Sequence, residues 1–120
     1  MAQHRLGEVE SRFADIIWRE EPLTSRALVE VCAKELNWNK STTYTVLRKL
    51  CARGIFKNEN SVVTSVISKE EFVSSVSETF VDEAFNGSLP AFIASFASRK
   101  KLTAEEVLEI RKLIDEFEEK

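Results

Sequence analysis

The sequence predicts a mainly α fold with one small β-hairpin: a winged helix-turn-helix domain over residues 1–67, then a C-terminal helical dimerisation tail over residues 68–120. Three observations predict it. Apolar residues recur at helical spacing in three short consecutive segments. The third segment is basic and runs directly into a β-branched stretch interrupted by a polar turn. The rest of the chain is a set of capped, apolar-striped helices too small to make a core of their own.

Val9, Phe13, Ile16 and Ile17 stand at i, i+4, i+7 and i+8, the stripe of an amphipathic helix from Gly7 to about Arg19. Glu8 and Glu10 lie in its first turn, where the helix dipole favours acids. Pro22 ends it. Thr24 or Ser25 caps a second helix reaching about Leu36, with Leu28, Cys32 and Leu36 as its apolar stripe. Asn39 caps a third, from Lys40 to Arg53. There Thr43, Val46, Leu47 and Leu50 turn toward the first two helices, and Lys40, Ser41, Tyr44, Thr45, Arg48 and Lys49 fall largely on other faces. Gly54 supplies the stop. The period then changes: Ile55-Phe56-Lys57, a polar Asn58–Ser61 turn, and Val62 to Ile67 read as a hairpin.

Ser68 and Glu71 form a capping box that opens a helix to about Phe85, with Phe72, Val76, Thr79, Phe80 and Ala84 along one side. Asn86-Gly87 breaks it, and Ser88 caps a short apolar helix, Leu89 to Ala97. After a basic Arg99-Lys100-Lys101 link, Thr103 and Glu106 form a second capping box before a helix striped by Val107, Ile110, Ile114 and Phe117. Residues 68–120 hold six of the eight phenylalanines. Apolar faces of that size need a cover, and a two-fold related second copy is the simplest one. Phe80, Phe92, Phe96, Ile110, Ile114 and Phe117 are therefore the candidate dimer interface.

Composition narrows the function. A chain of 120 residues that is 43% apolar can bury one modest core plus an appendage. No run reaches the length of about 18 apolar residues that a membrane span needs, and Met1 to Gly7 lacks a signal peptide's apolar segment, so a cytoplasmic protein is expected. Two cysteines, Cys32 and Cys51, with His4 as the one histidine, compose neither a metal site nor a disulfide framework. They read as packing residues, as do Trp18 and Trp38. Without a Gly-rich loop or a nucleophile elbow, no enzymatic activity and no cofactor are expected.

The net charge of −3 is unevenly spread: residues 1–67 sum to +2 and residues 68–120 to −5. From Asn39 to Asn58 the chain carries Lys40, Arg48, Lys49, Arg53 and Lys57 and no acid. A basic third helix before a hairpin is the arrangement that enters the major groove of double-stranded DNA. The third helix is accordingly the candidate DNA-binding element, with Lys40, Arg48 and Lys49 as its cations; the hydroxyls of Ser41 and Thr42 stand at a helix N-terminus, where phosphates are readily held. The alternative is a winged-helix protein-interaction module that does not touch DNA.

At Leu6, Glu10 and Ile16-Ile17-Trp18, at Thr42-Thr43-Tyr44-Thr45-Val46-Leu47-Arg48-Lys49-Leu50, and at Arg53-Gly54-Ile55, the chain resembles the penicillinase-repressor family of bacterial regulators. The similarity runs on through Ser68 to Phe72 and the Asn86-Gly87-Ser88 break. It implies a homodimer on a palindromic operator, which blocks transcription until a membrane-bound sensor protease system causes the tail to be cut. By position, Lys40, Ser41, Thr42, Tyr44, Thr45, Arg48 and Lys49 inherit the DNA-reading role and are the candidate DNA-binding residues, and the cleavable bond falls on Ser95-Phe96. The chain departs from the family pattern in its wing, which turns tightly between Asn58 and Ser61 without an arginine. It also lacks the C-terminal cysteine pairs of a copper-responsive branch.

Overall fold

A computed structural model describes residues 5–118, so His4 lies outside the described residues. The elements run α1 (Glu8–Glu20), β1 (Leu23–Thr24), α2 (Ser25–Glu35), α3 (Lys40–Ala52), β2 (Phe56–Glu59), β3 (Val62–Ser65), α4 (Lys69–Phe85), α5 (Leu89–Arg99) and α6 (Ala104–Glu118). This is a winged helix-turn-helix followed by a helical tail. No described helix is long and apolar enough to cross a membrane. The chain forms two compact units, Met1–Thr79 and Phe80–Lys120.

Local chemistry sets the element ends in the first unit. Thr24 caps α2 by accepting the Ala27 N–H at 3.0 Å, and Asn39 caps α3 by accepting the Thr42 N–H at 2.8 Å. Each satisfies one of the four donors that a helix start leaves open. Gly54 follows α3 at φ +81°, a conformation that a side chain resists. The wing turn is shorter than its polar run implies. Asn58 and Glu59 belong to β2, and the chain reverses on Asn60 and Ser61 alone, at φ 53° and 63°, as a two-residue hairpin loop requires.

The sheet is antiparallel with order β1-β3-β2. Its third strand, β1, is only Leu23–Thr24 and pairs with Val62–Val63. Below it lies the core: Phe13, Ala14, Ile16 and Ile17 from α1, Leu28 and Cys32 from α2, Leu47 and Leu50 from α3, with Ile55, Phe56 and Val63 from the wing. Thr43 is buried too and Val46 half-buried, so the inner face of α3 is the one its spacing predicts. Val9, by contrast, is 49% exposed, although it stands on the stripe its spacing predicts.

Phe72 differs from expectation. Although it starts the tail in sequence, it is buried in the core of the first unit, 5.7 Å from the Trp18 ring. Trp18 also packs on Phe56, and its indole N–H donates to the Ile67 carbonyl at 3.1 Å. A Lys69–Asp15 ion pair at 2.9 Å completes the seat of the first turns of α4.

The second unit is built differently. Ser88 caps α5 through the Ala91 N–H, and Thr103 and Glu106 exchange the two bonds of a capping box at the start of α6. Phe80, Phe85, Phe92 and Phe96 form a chain of ring contacts with centroids 5.6–6.4 Å apart. Nevertheless neither α5 nor α6 holds a single buried residue. An open, largely apolar groove of about 350 Å³ is lined by Phe92, Ile93, Phe96, Leu102 and Ile110 together with Glu106 and Glu109.

Candidate nucleic-acid interface

Once Thr43, Leu47 and Leu50 are buried, helical geometry decides what α3 offers to a partner. Ser41, Thr42, Thr45, Arg48 and Lys49 share the exposed arc, and Lys40 stands exposed at its start. Among the described residues Lys40 and Arg48 make no ion pair, nor does Arg26 in the first turn of α2. The charges of these side chains are available to an outside anion.

The two edges of the arc are fixed. On one side Tyr44 is half-buried, and its hydroxyl donates to the Ser25 Oγ at 3.2 Å. On the other, the Lys49 ammonium donates to a Glu10 carboxylate oxygen at 2.7 Å. The other bases of the acid-free stretch are also engaged. Arg53 donates to the Arg5 carbonyl at 2.8 Å, and Lys57 lies 3.6 Å from Glu59. The seven candidate residues thus share one helix, with Lys40 and Arg48 as the unpaired cations. Ser25 and Glu10 flank that helix, a placement that their positions in the sequence do not reveal. A serine beside a capping threonine, and charges on amphipathic helices, carry no signal of their own.

Glu10 is held below the usual carboxylate range, chiefly by the hydrogen bond from Lys49 and then by the Gly7 N–H. Its folded pKa therefore lies below its unfolded one. The stability it contributes is fully present above the unfolded value and is lost as pH falls through the folded one. At neutral pH its negative charge offsets Lys49. Glu10→Gln is expected to tighten binding to any DNA duplex about two- to threefold at low salt, an effect of a rim charge. Fluorescence anisotropy with a labelled duplex would measure it; equal or weaker binding would place Lys49 away from the phosphates.

Neither thiol is a reactive centre. Burial pushes Cys32 up to about 11 and raises Cys51 as well, and both are free. No group of acids, cysteines and histidine able to hold a metal ion occurs among the described residues. In the second unit Ser95-Phe96 lies inside α5, where the Ser95 carbonyl accepts the Ser98 hydroxyl at 2.8 Å. Phe80, Phe96, Ile114 and Phe117 are exposed, whereas Phe92 and Ile110 are half-buried.

The sequence is similar to those of known proteins. The chain is 21% identical over 116 residues to a penicillinase repressor of Bacillus licheniformis, with 93% of this chain and 91% of that protein covered. It is 22% identical over 110 residues to a penicillinase repressor of Staphylococcus aureus, covering 88% and 87%. The model of the penicillinase repressor family matches residues 6–116, which takes in the head, the exposed arc of α3 and nearly all of the tail, and the chain belongs to that family.

Proposed function

We propose that this chain is a dimeric, sequence-specific repressor of transcription that binds a palindromic operator with α3 in the major groove. One observation carries the reading: a helix seated on the core presents Lys40, Ser41, Thr42, Thr45, Arg48 and Lys49 on one exposed face, and among the described residues Lys40 and Arg48 make no ion pair. A major groove about 12 Å wide admits such a helix, and cationic side chains on it release counterions from the phosphates. Repression by DNA binding is also what membership of the family implies.

Residues 1–67 serve as the reading head and residues 68–120 as the dimerisation region. The absence of any buried residue in α5 and α6 supports a dimerisation role for the tail beyond the first turns of α4, since a face so exposed calls for a partner chain. Release follows from cutting the tail at Ser95-Phe96 by a membrane-bound sensor protease system, in the cytoplasm where the operator lies. No catalytic residue and no cofactor enter the mechanism.

A mobility-shift titration against the DNA upstream of the chain's own gene, repeated across salt concentrations, tests the reading. The expected result is a discrete complex whose affinity falls steeply with salt, because several phosphates are neutralised per chain. No complex at low salt would leave a winged-helix protein-interaction module as the function.

A further inference from the structure

We infer that Ser25 is a positioning residue for operator recognition, holding Tyr44 at the edge of α3 and tying that edge to the wing turn; this rests on the DNA-binding reading above. Ser25 is the first residue of α2, yet its hydroxyl is not needed for capping, because Thr24 already takes the Ala27 N–H. Its groups are used elsewhere. The backbone N–H, a donor that a helix start usually gives to water, donates to the Ser61 carbonyl in the wing turn at 2.9 Å. The side chain, with the residue only 6% exposed, accepts the Tyr44 hydroxyl. One small residue therefore joins α2, α3 and the wing turn.

The consequence lies on α3. Tyr44 stands one turn after Ser41 and one turn before Arg48, at the rim of the exposed arc. Its ring packs against the core and its hydroxyl is held by Ser25, so that its exposed edge meets the groove in one place beside Arg48. Contacts that specify sequence depend on such placement, whereas phosphate contacts carry affinity for any duplex. Ser25 should thus govern the preference for operator over other DNA, and leave the electrostatic part of binding alone.

The test uses the full-length chain, a palindromic duplex selected by the wild type from a random pool, and an unrelated duplex of equal length. Ser25→Ala and Tyr44→Phe each remove one hydroxyl of the pair. Each is expected to weaken binding to the selected duplex about fivefold per half-site, the worth of one hydrogen bond. The double variant should be no weaker than either single one, since both changes break the same link. For Ser25→Ala, binding to the unrelated duplex and its salt slope should stay at wild-type values, while the melting temperature falls by the few degrees that one lost internal hydrogen bond costs. Wild-type binding by Ser25→Ala, additive losses, or equal losses on both duplexes would overturn the inference. Should Ser25→Ala fail to fold, Tyr44→Phe decides alone, with undiminished preference for the selected duplex as the overturning result. A wild type that selects no duplex would instead overturn the DNA-binding reading itself.

Discussion

Aspartate at both Ile114 and Phe117 is expected to give a chain that no longer self-associates, whose head stays folded and whose operator affinity is lower by about two orders of magnitude. The effect on assembly follows from exposed area. Leu108 is 61% exposed, Ile114 51% and Phe117 71%, and α5 and α6 bury nothing. A packed aromatic side chain hides about 150–250 Å², so two tails that share these faces should bury more than about 2,000 Å², the range of obligate homodimers. A carboxylate in such a core costs several kcal/mol per chain. The head is spared because its core, from Phe13 to Phe72, lies wholly in the first unit. DNA binding suffers because the second half-site is no longer held at high effective concentration. Sedimentation velocity at micromolar concentration measures the first effect and anisotropy the second. A wild type that sediments as a monomer, or a double variant that remains a dimer, would defeat this account of the tail.

Replacing Arg48 and Lys49 by alanine should weaken operator binding at least tenfold and flatten its dependence on salt, by about one unit of slope for each phosphate left unneutralised. Arg48 gives up no internal ion pair. Lys49 gives up an ion pair with Glu10 in which its own side chain is 60% exposed, and such pairs are worth less than about 1 kcal/mol. The melting temperature should therefore hardly move. Unchanged affinity with an unchanged salt slope would shift the DNA surface off α3.

Much of the fold is legible because its determinants are local. Asn39, Gly54, Ser68, Ser88 and Thr103 mark helix ends through bonds or dihedral angles within a few residues of themselves. Thr43, Leu47 and Leu50 show the buried side of α3 by spacing alone, and with it the opposite face. The features that are not legible depend on partners distant in sequence. β1 is only two residues long, directly after Pro22, and exists because β3 accepts it. Asn58 and Glu59 resemble a turn because they are polar, yet they are strand residues on the sheet edge, where side chains face water. Phe72 looks like part of the tail's stripe until Trp18 is beside it. The Ser25–Tyr44 link joins two hydroxyl residues 19 positions apart that each have an ordinary local explanation.

The surroundings of Trp18 and Trp38 make the chain optically informative. Trp38 stacks on Phe13 inside the head with ring centroids 5.3 Å apart, so its emission responds when the whole head melts. Trp18 touches the wing through Phe56 and the wing exit through Ile67, and it covers Phe72 at the root of α4. Its fluorescence therefore reports whether α4 remains seated on the head, an event that need not disturb Trp38. With Trp38 replaced by phenylalanine, a single-tryptophan chain would display that docking as a colour shift in real time, without a label, when DNA is added.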